Sequence, residues 1–165
     1  MTISLDRLLK HMAWANKSTI EHLEKLPNES LRAFATNSDW HVAEIMHHIV
    51  ESADFYYYRI TGEHCVVPGD GIAELTGVSD LELLKKQCSI IDEALLSCVN
   101  LEDIQVEFKN REEKIVKRWR STILSQAIHH ATEHRAQIAS ALEAKGFEPV
   151  DLDDLDLWSF EIKNG

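Results

Sequence analysis

The stretch QAIHHATEHRAQ, residues 126–137, decides the fold prediction and raises the main question about function. It places three histidines, a glutamate and an arginine in about three turns of an alanine-rich, helix-favouring segment. On a helix, His130 and His134 are one turn apart on the same face, so they can bind one metal ion together. Four apolar residues share that face: Ala127, Ala131, Ile138 and Ala141. We therefore expect both imidazoles to point into the interior.

A third histidine stands in DWHVAEIMHHIV, residues 39–50. His48 shares a helical stripe with the residues at i−3, i+4 and i+7, so it is also expected to point inward. His47 and His129 lie about 100° around their helices from these positions and are expected at the surface or rim. Three histidines from two helices predict a site with open positions for zinc, nickel or a similar ion, which could activate water or a thiol.

Two other interpretations of the histidines stay open. Two histidines four residues apart also occur by chance in a chain that has nine, and such a pair need not bind metal. In addition, His130, Glu133 and His134 spell H-x-x-E-H, a metalloprotease pattern in which the glutamate is the general base. Only 31 residues follow His134, which leaves little room for the rest of a protease domain.

Composition narrows the class of protein. The chain has 165 residues, which fits one domain, and 44% hydrophobic with 27% charged residues, which is typical of a globular protein. A net charge of −11 argues against nucleic-acid and anionic-membrane partners. The amino terminus lacks a long apolar run, so neither export nor a membrane span is expected. Cys65, Cys88 and Cys98 are odd in number and suit free thiols in a reducing cytoplasm.

Periodicity predicts an all-α fold with four long helices. The segments run from about 4 to 26, 38 to 62, 79 to 99 and 121 to 145, with Ser38 or Asp39 capping the second and Gly62 ending it. Four of the six glycines lie between 62 and 78, which predicts a long connection there. Alternating residues from 104 to 116 predict a small β-hairpin before the fourth helix. The acidic tail, 147–165, is expected to pack its leucines and Trp158 on the helices rather than to form a calcium loop.

Four stretches resemble the DinB/YfiT-like family of metalloenzymes. They are HMAWAN at 11–16, SDWHVAEIMHHIVES at 38–52, HATEHRAQI at 130–138, and the tail GFEPVDLDDLDLW that begins at Gly146. The second and third are the specific ones, because the family pattern is a tryptophan-led helix with one histidine, followed late in the chain by H-x-x-x-H-R-x-Q. Ala136 departs from that pattern, since a glycine is common at this position in the family.

The resemblance implies a single domain, 1–165, built as an up-down-down-up four-helix bundle with a long crossover between helices 2 and 3, usually dimeric. It also implies a metal bound by His48, His130 and His134, although the adjacent His47 leaves open which of the two is the ligand. Family members are similar to isomerases and transferases that use zinc or nickel with a low-molecular-weight thiol on a small-molecule substrate. A metal-dependent hydrolase, and a metal-binding stress-response or interaction protein without turnover, are the alternatives.

Around this site we expect supporting residues of two kinds. Glu44, Glu51 and Glu133 are candidates to orient a ligand imidazole through its second nitrogen. Arg135 and Gln137 face other directions than His134, which favours a structural role over substrate binding. Trp14 and Trp40 are expected in the core rather than as platforms for a substrate.

Overall fold

The computed structural model describes residues 5–110 and 112–164. In these ranges it has five α-helices and a two-stranded sheet. The helices are α1 (Asp6–Leu23), α2 (Val42–Thr61), α3 (Leu81–Ser97), α4 (Arg120–Ala144) and α5 (Leu157–Asn164). The strands are β1 (Gln105–Lys109) and β2 (Ile115–Trp119), and short 3₁₀ turns cover Asn28–Arg32, Val78–Asp80 and Cys98–Asn100. The prediction of a mostly helical fold with a small hairpin before the last long helix is therefore confirmed.

The four long helices share one apolar core. Helix α1 packs on α3 and α4, and α2 packs on α4 and α3. Each helix contributes large side chains with almost no exposed surface, among them Leu9, Met12, Ile20, Ile45, Met46, Ile49, Leu84, Ile91, Leu95, Ile138 and Leu142. These residues recur at helical spacing, so burial of one stripe per helix accounts for the arrangement. None of the described helices combines the length and apolar character needed to cross a lipid bilayer.

Helix α2 starts three residues later than the sequence suggested. We expected Ser38 or Asp39 as its cap, but His41 precedes the first helical residue, and its Nδ1 accepts a hydrogen bond from the Glu44 backbone N–H at 3.3 Å. An imidazole nitrogen can serve because a cap only needs an acceptor within reach of the free amides. At the other end Gly62 adopts a left-handed conformation, φ +84°, and terminates the helix as predicted.

The hairpin closes one end of the groove between α2 and α4. Strands β1 and β2 are antiparallel, with Val106 opposite Arg118 and Phe108 opposite Val116. Strand β1 contacts α2, and β2 contacts α4. Because side chains alternate along a strand, these four residues share one face of the hairpin.

The long connection between α2 and α3 is fastened by one buried side chain. Gln87 Nε2 donates to the carbonyls of Pro68 and Gly71 at 2.6 and 2.8 Å, and its Oε1 accepts from the Ala73 N–H at 2.8 Å. Gln87 has no exposed surface. A single amide thus holds three points of a loop that has no helix or strand of its own.

The acidic tail runs back along α1 and ends in a short helix that the sequence did not predict. His11 Nε2 lies 2.7 Å from the Leu155 carbonyl oxygen, and the Phe160 and Trp14 rings pack with centroids 5.5 Å apart. Trp158, expected on the helices, is 78% exposed, because the α1 face of α5 is occupied by Phe160.

Candidate metal centre

Three histidines meet where α2 packs against α4. His48 comes from α2, and His130 and His134 come from α4, and all three side chains are half-buried. One ring nitrogen of each lies within 4.8 Å of those of the other two. The Nε2 atom of His130 is 3.1 Å from Nε2 of His48 and 3.1 Å from Nε2 of His134. These three residues, called the histidine triad below, are the ones that spacing and helix phase put together in the sequence.

The short contacts inside the triad suit a cation better than hydrogen bonds alone. An imidazole nitrogen carries either one proton or one lone pair, so His130 Nε2 can form a linear hydrogen bond with only one of its two neighbours. Ligands of one ion, at metal–nitrogen distances of about 2.0–2.1 Å, lie about 2.9 Å apart at a right angle and about 3.3 Å apart in a tetrahedron. The observed 3.1 Å falls between these values. The donor set, three imidazoles, fits zinc and nickel.

The orientation of His134 is set by an amide that we did not predict as its partner. Gln137 Oε1 accepts from His134 Nδ1 at 2.8 Å and from Trp40 Nε1 at 2.9 Å. Since an indole N–H can only donate, the Gln137 atom must be the oxygen, and His134 must carry its proton on Nδ1. Its Nε2 lone pair therefore points at the triad, as metal binding requires. The signal in the sequence was the i, i+3 spacing of His134 and Gln137.

Trp40 supports the same site from the segment before α2. Its ring lies 5.2 Å from the ring of His48 and 5.6 Å from that of His134, both edge-to-face. The side chain is half-buried rather than part of the core. The expectation of a core role therefore missed its hydrogen bond and its contact with two triad rings.

The neighbouring histidines and glutamates lie elsewhere. His47 Nδ1 is 3.1 Å from the Ala73 carbonyl oxygen, so it faces the connection between α2 and α3, and His129 is exposed. Glu44 lines a separate polar cavity with Arg32 and His41, and Glu133 is exposed. At His134 the orienting role that we expected from a glutamate is taken by Gln137.

Comparison with known proteins agrees with the residues that form this site. A family model described as "DinB family" matches residues 1–163. The chain belongs to the DinB family. The resemblance inferred from its motifs is thus confirmed over nearly the whole length. No curated protein matches the chain.

Two cavities of the DinB-family chain adjoin the triad from opposite sides. One, of about 260 Å³, is lined by Trp40 and Gln137 together with small residues of α4 such as Ala136 and Ser140. The other, of about 280 Å³, lies under the hairpin and is lined by Tyr56, whose ring is 5.7 Å from that of His130. Molecules of modest size can therefore approach the triad.

Behind the triad, α4 contributes a second polar cluster that is fully enclosed. Arg135 Nη1 donates to Asn16 Oδ1 at 2.6 Å, and Asn16 Nδ2 donates to Asp92 Oδ2 at 3.1 Å. Burial raises the pKa of Asp92 to about 6 and lowers the pKa of Arg135 to about 10. Burial also raises the pKa of the Cys88 thiol, which donates to Asp92. Arg135 therefore ties α4 to α1 inside the protein, the structural role that its helix phase indicated.

Proposed function

We propose that this DinB-family protein binds one divalent metal ion, zinc or nickel, through His48, His130 and His134. We further propose that the ion serves a small-molecule reaction of the thiol transferase or isomerase type. The observation that carries the proposal is the convergence of three Nε2 atoms from two helices at a half-exposed position between two cavities. Catalytic metal sites have three protein ligands and a position left for substrate or water, whereas structural sites are closed by four.

The residues of the chain would divide the work as follows. A divalent ion held by the triad would lower the pKa of a thiol or of water and so supply a nucleophile at neutral pH. Gln137 and Trp40 keep His134 in the tautomer that can ligate. A low-molecular-weight thiol is proposed as the second reactant because the sequence resembles thiol-dependent enzymes. Activated water, as in a hydrolase, is the alternative that the same ligands would serve.

The wider architecture is proposed on the same basis. The contacts of α1 and of α2 with both α3 and α4 support a single-domain, up-down-down-up four-helix bundle, with the connection between α2 and α3 as its crossover. We propose a homodimer, from the family resemblance, and a small-molecule rather than a nucleic-acid partner, from the net charge of −11. The three cysteines, all free thiols, support a location in the reducing cytoplasm.

Metal content is the experiment that tests the site. Elemental mass spectrometry on tag-free protein should find about one zinc or nickel per chain, and His48→Ala and His134→Ala should each lose it. The matched controls are His47→Ala and His129→Ala, which remove a neighbouring imidazole from the same two helices and should keep the metal. Loss of metal in all four variants, or in none, would contradict the assignment.

Reactivity is tested on the loaded protein. Cobalt(II) in place of the native ion should show a new thiolate absorption when a thiol is added, since a catalytic site keeps an exchangeable position. An unchanged spectrum with every thiol would leave a structural metal, as in an interaction protein. Thiol-dependent turnover of an electrophilic small molecule favours the transferase or isomerase, and turnover without thiol favours the hydrolase.

A further inference from the structure

The cavity under the hairpin contains two positive charges within reach of the triad. It is bounded by α2, α4 and the hairpin, and its lining includes Tyr56, Arg59, Phe108, Arg118 and Gln126. Gln126 lies one helical turn before His130 on α4, and the Tyr56 ring contacts the His130 ring. The cavity therefore opens towards the histidine triad, and its volume of about 280 Å³ is close to the lower end of the range for small-ligand sites.

Arg59 is held in place by aromatic rings rather than by an acid. Its guanidinium carbon lies 5.4 Å from the centre of the Tyr56 ring and 5.1 Å from that of Phe108. Stacking on rings fixes the plane of a guanidinium while leaving its N–H edge available to an acceptor. Arg59 is half-buried, so this arrangement places a positive charge at the wall of the cavity.

Arg118 stands on the face of the hairpin where apolar residues would be expected. The register puts it beside Val106, Phe108 and Val116, on the face that meets the helices. On the opposite face Glu107 and Lys117 pair with each other at 2.6 Å. Arg118 Nη1 donates to the Lys117 carbonyl at 2.7 Å, which leaves the other donors of its guanidinium available.

Neither arginine is neutralised within the part of the chain that the structure describes. No described carboxylate lies within ion-pair distance of Arg59 or Arg118. The chain has 28 acidic and 17 basic residues, so acids were abundant enough to pair with both. Two guanidinium groups left unpaired at one cavity, among apolar neighbours such as Phe108 and Val116, fit an anion with a short apolar body.

We propose that Arg59 and Arg118 form a subsite for the carboxylate of a small molecule whose reacting end lies at the triad. The proposal deepens the proposed function and rests on it, since it names a substrate class for the same site. The carboxylate belongs either to the thiol or to the electrophile that the thiol attacks. Both sources present the same group to the two guanidinium forks.

The first arm of the test compares two thiols on cobalt-loaded protein. We would titrate 6-mercaptohexanoate and the uncharged 6-mercaptohexanol and follow the thiolate absorption. Wild type should bind the acid about tenfold more tightly than the alcohol, because one charge-assisted contact is of that order. Arg59→Gln and Arg118→Gln should each remove that difference while leaving the affinity for the alcohol unchanged. Arg7→Gln on α1, which does not line this cavity, is the control with the same loss of charge.

The second arm uses a carboxylate that has no thiol. Hexanoate is titrated by calorimetry into the loaded protein saturated with 2-mercaptoethanol, and separately into protein with no thiol added. Binding that depends on the arginines while the thiol is present assigns the carboxylate to the electrophile. Binding only in the absence of thiol, together with an arginine-dependent preference for the mercapto acid in the first arm, assigns it to the thiol.

The outcomes separate the subsite from the thiol chemistry. Equal affinities for acid and alcohol in wild type, with no hexanoate binding, overturn the subsite even where thiols bind the ion. A spectrum that no thiol changes counts against the thiol reaction alone, and arginine-dependent hexanoate binding still supports the subsite. Because Arg59 packs against Phe108, its variant could loosen the hairpin. Arg118→Gln, whose side chain is exposed, then decides, after melting temperatures have been compared.

Discussion

His134 and Arg135 are adjacent on α4 but belong to two polar clusters of opposite character. His134 points into the histidine triad, which is half-buried and adjoins two cavities. Arg135 lies about 100° around the helix and is 3% exposed. Its cluster includes Asn16 and Asp92, which are 1% and 2% exposed. One turn of helix thus supplies both an open site and a closed network.

The difference lies in what satisfies the polar atoms. In the closed network, protein donors and acceptors from α1, α3 and α4 meet one another. In the triad, two 3.1 Å contacts share one nitrogen, which a pair of hydrogen bonds cannot satisfy but a cation can. The closed network therefore contributes to which helices pack together, and the open one contributes a binding site.

Removing the guanidinium should produce the largest effect on stability. Arg135→Met leaves the Asp92 carboxylate and the Asn16 oxygen buried without their cation, which typically costs about 3–5 kcal/mol. Urea unfolding of metal-free wild type and variant measures the difference. Arg7→Met, an exposed position on α1, is the control and should change stability by no more than about 0.5 kcal/mol. A loss below about 1 kcal/mol in Arg135→Met would show that the network contributes little.

The pH dependence of stability tests the acid in the same network. Asp92 has its pKa raised by burial from 3.8 to about 6, so the folded protein holds a proton that the unfolded chain releases. The stability due to this group therefore falls as pH rises from about 4 to about 6, by about 2 to 3 kcal/mol in total.

Asp92→Asn keeps the shape but does not titrate, so it isolates this group. Wild type should lose stability relative to the variant between pH 4 and pH 7, and protonation of the triad histidines cancels because both proteins have them. Arg135 stays charged throughout, since burial lowers its pKa only to about 10. A difference in unfolding free energy that is independent of pH would mean that Asp92 ionises in the folded protein as readily as in the unfolded chain.

The sequence predicted features that depend on spacing within one helix. The four long helices follow from apolar periodicity, and the triad follows from His130 and His134 at i, i+4 with His48 on an inward stripe. Both predictions use geometry that a helix imposes on its own residues. The site was visible because its ligands lie on two strongly periodic segments.

Features that depend on contacts between distant segments could not be predicted in this way. Gln137 meets Trp40 from 97 positions away, and Arg135 meets Asn16 from 119 positions away. The cap on α2 was missed because Ser38 and Asp39 have stronger capping preferences than His41, yet the chain turns into the helix only after His41. Arg118 carries no signal until the strand register puts it on the inward face.

Gln137 offers the smallest but most selective perturbation. Gln137→Leu removes the acceptor for His134 Nδ1 and should weaken metal binding about 10- to 100-fold, the usual cost of losing a partner that orients a ligand imidazole. Competition with a chromophoric chelator measures the affinity. Gln137→Glu keeps the acceptor and should restore most of it, and Gln105→Leu, an exposed position on β1, should have no effect.

Stability should respond in the opposite order. Gln137 is exposed, so metal-free Gln137→Leu should unfold within about 0.5 kcal/mol of wild type, apart from the loss of one hydrogen bond to Trp40. Arg135→Met, two residues away, should lose stability while its folded fraction keeps wild-type metal content. A Gln137→Leu protein with unchanged metal affinity would mean that helix packing alone orients His134. In that case the two clusters would differ only in burial and not in what holds their side chains.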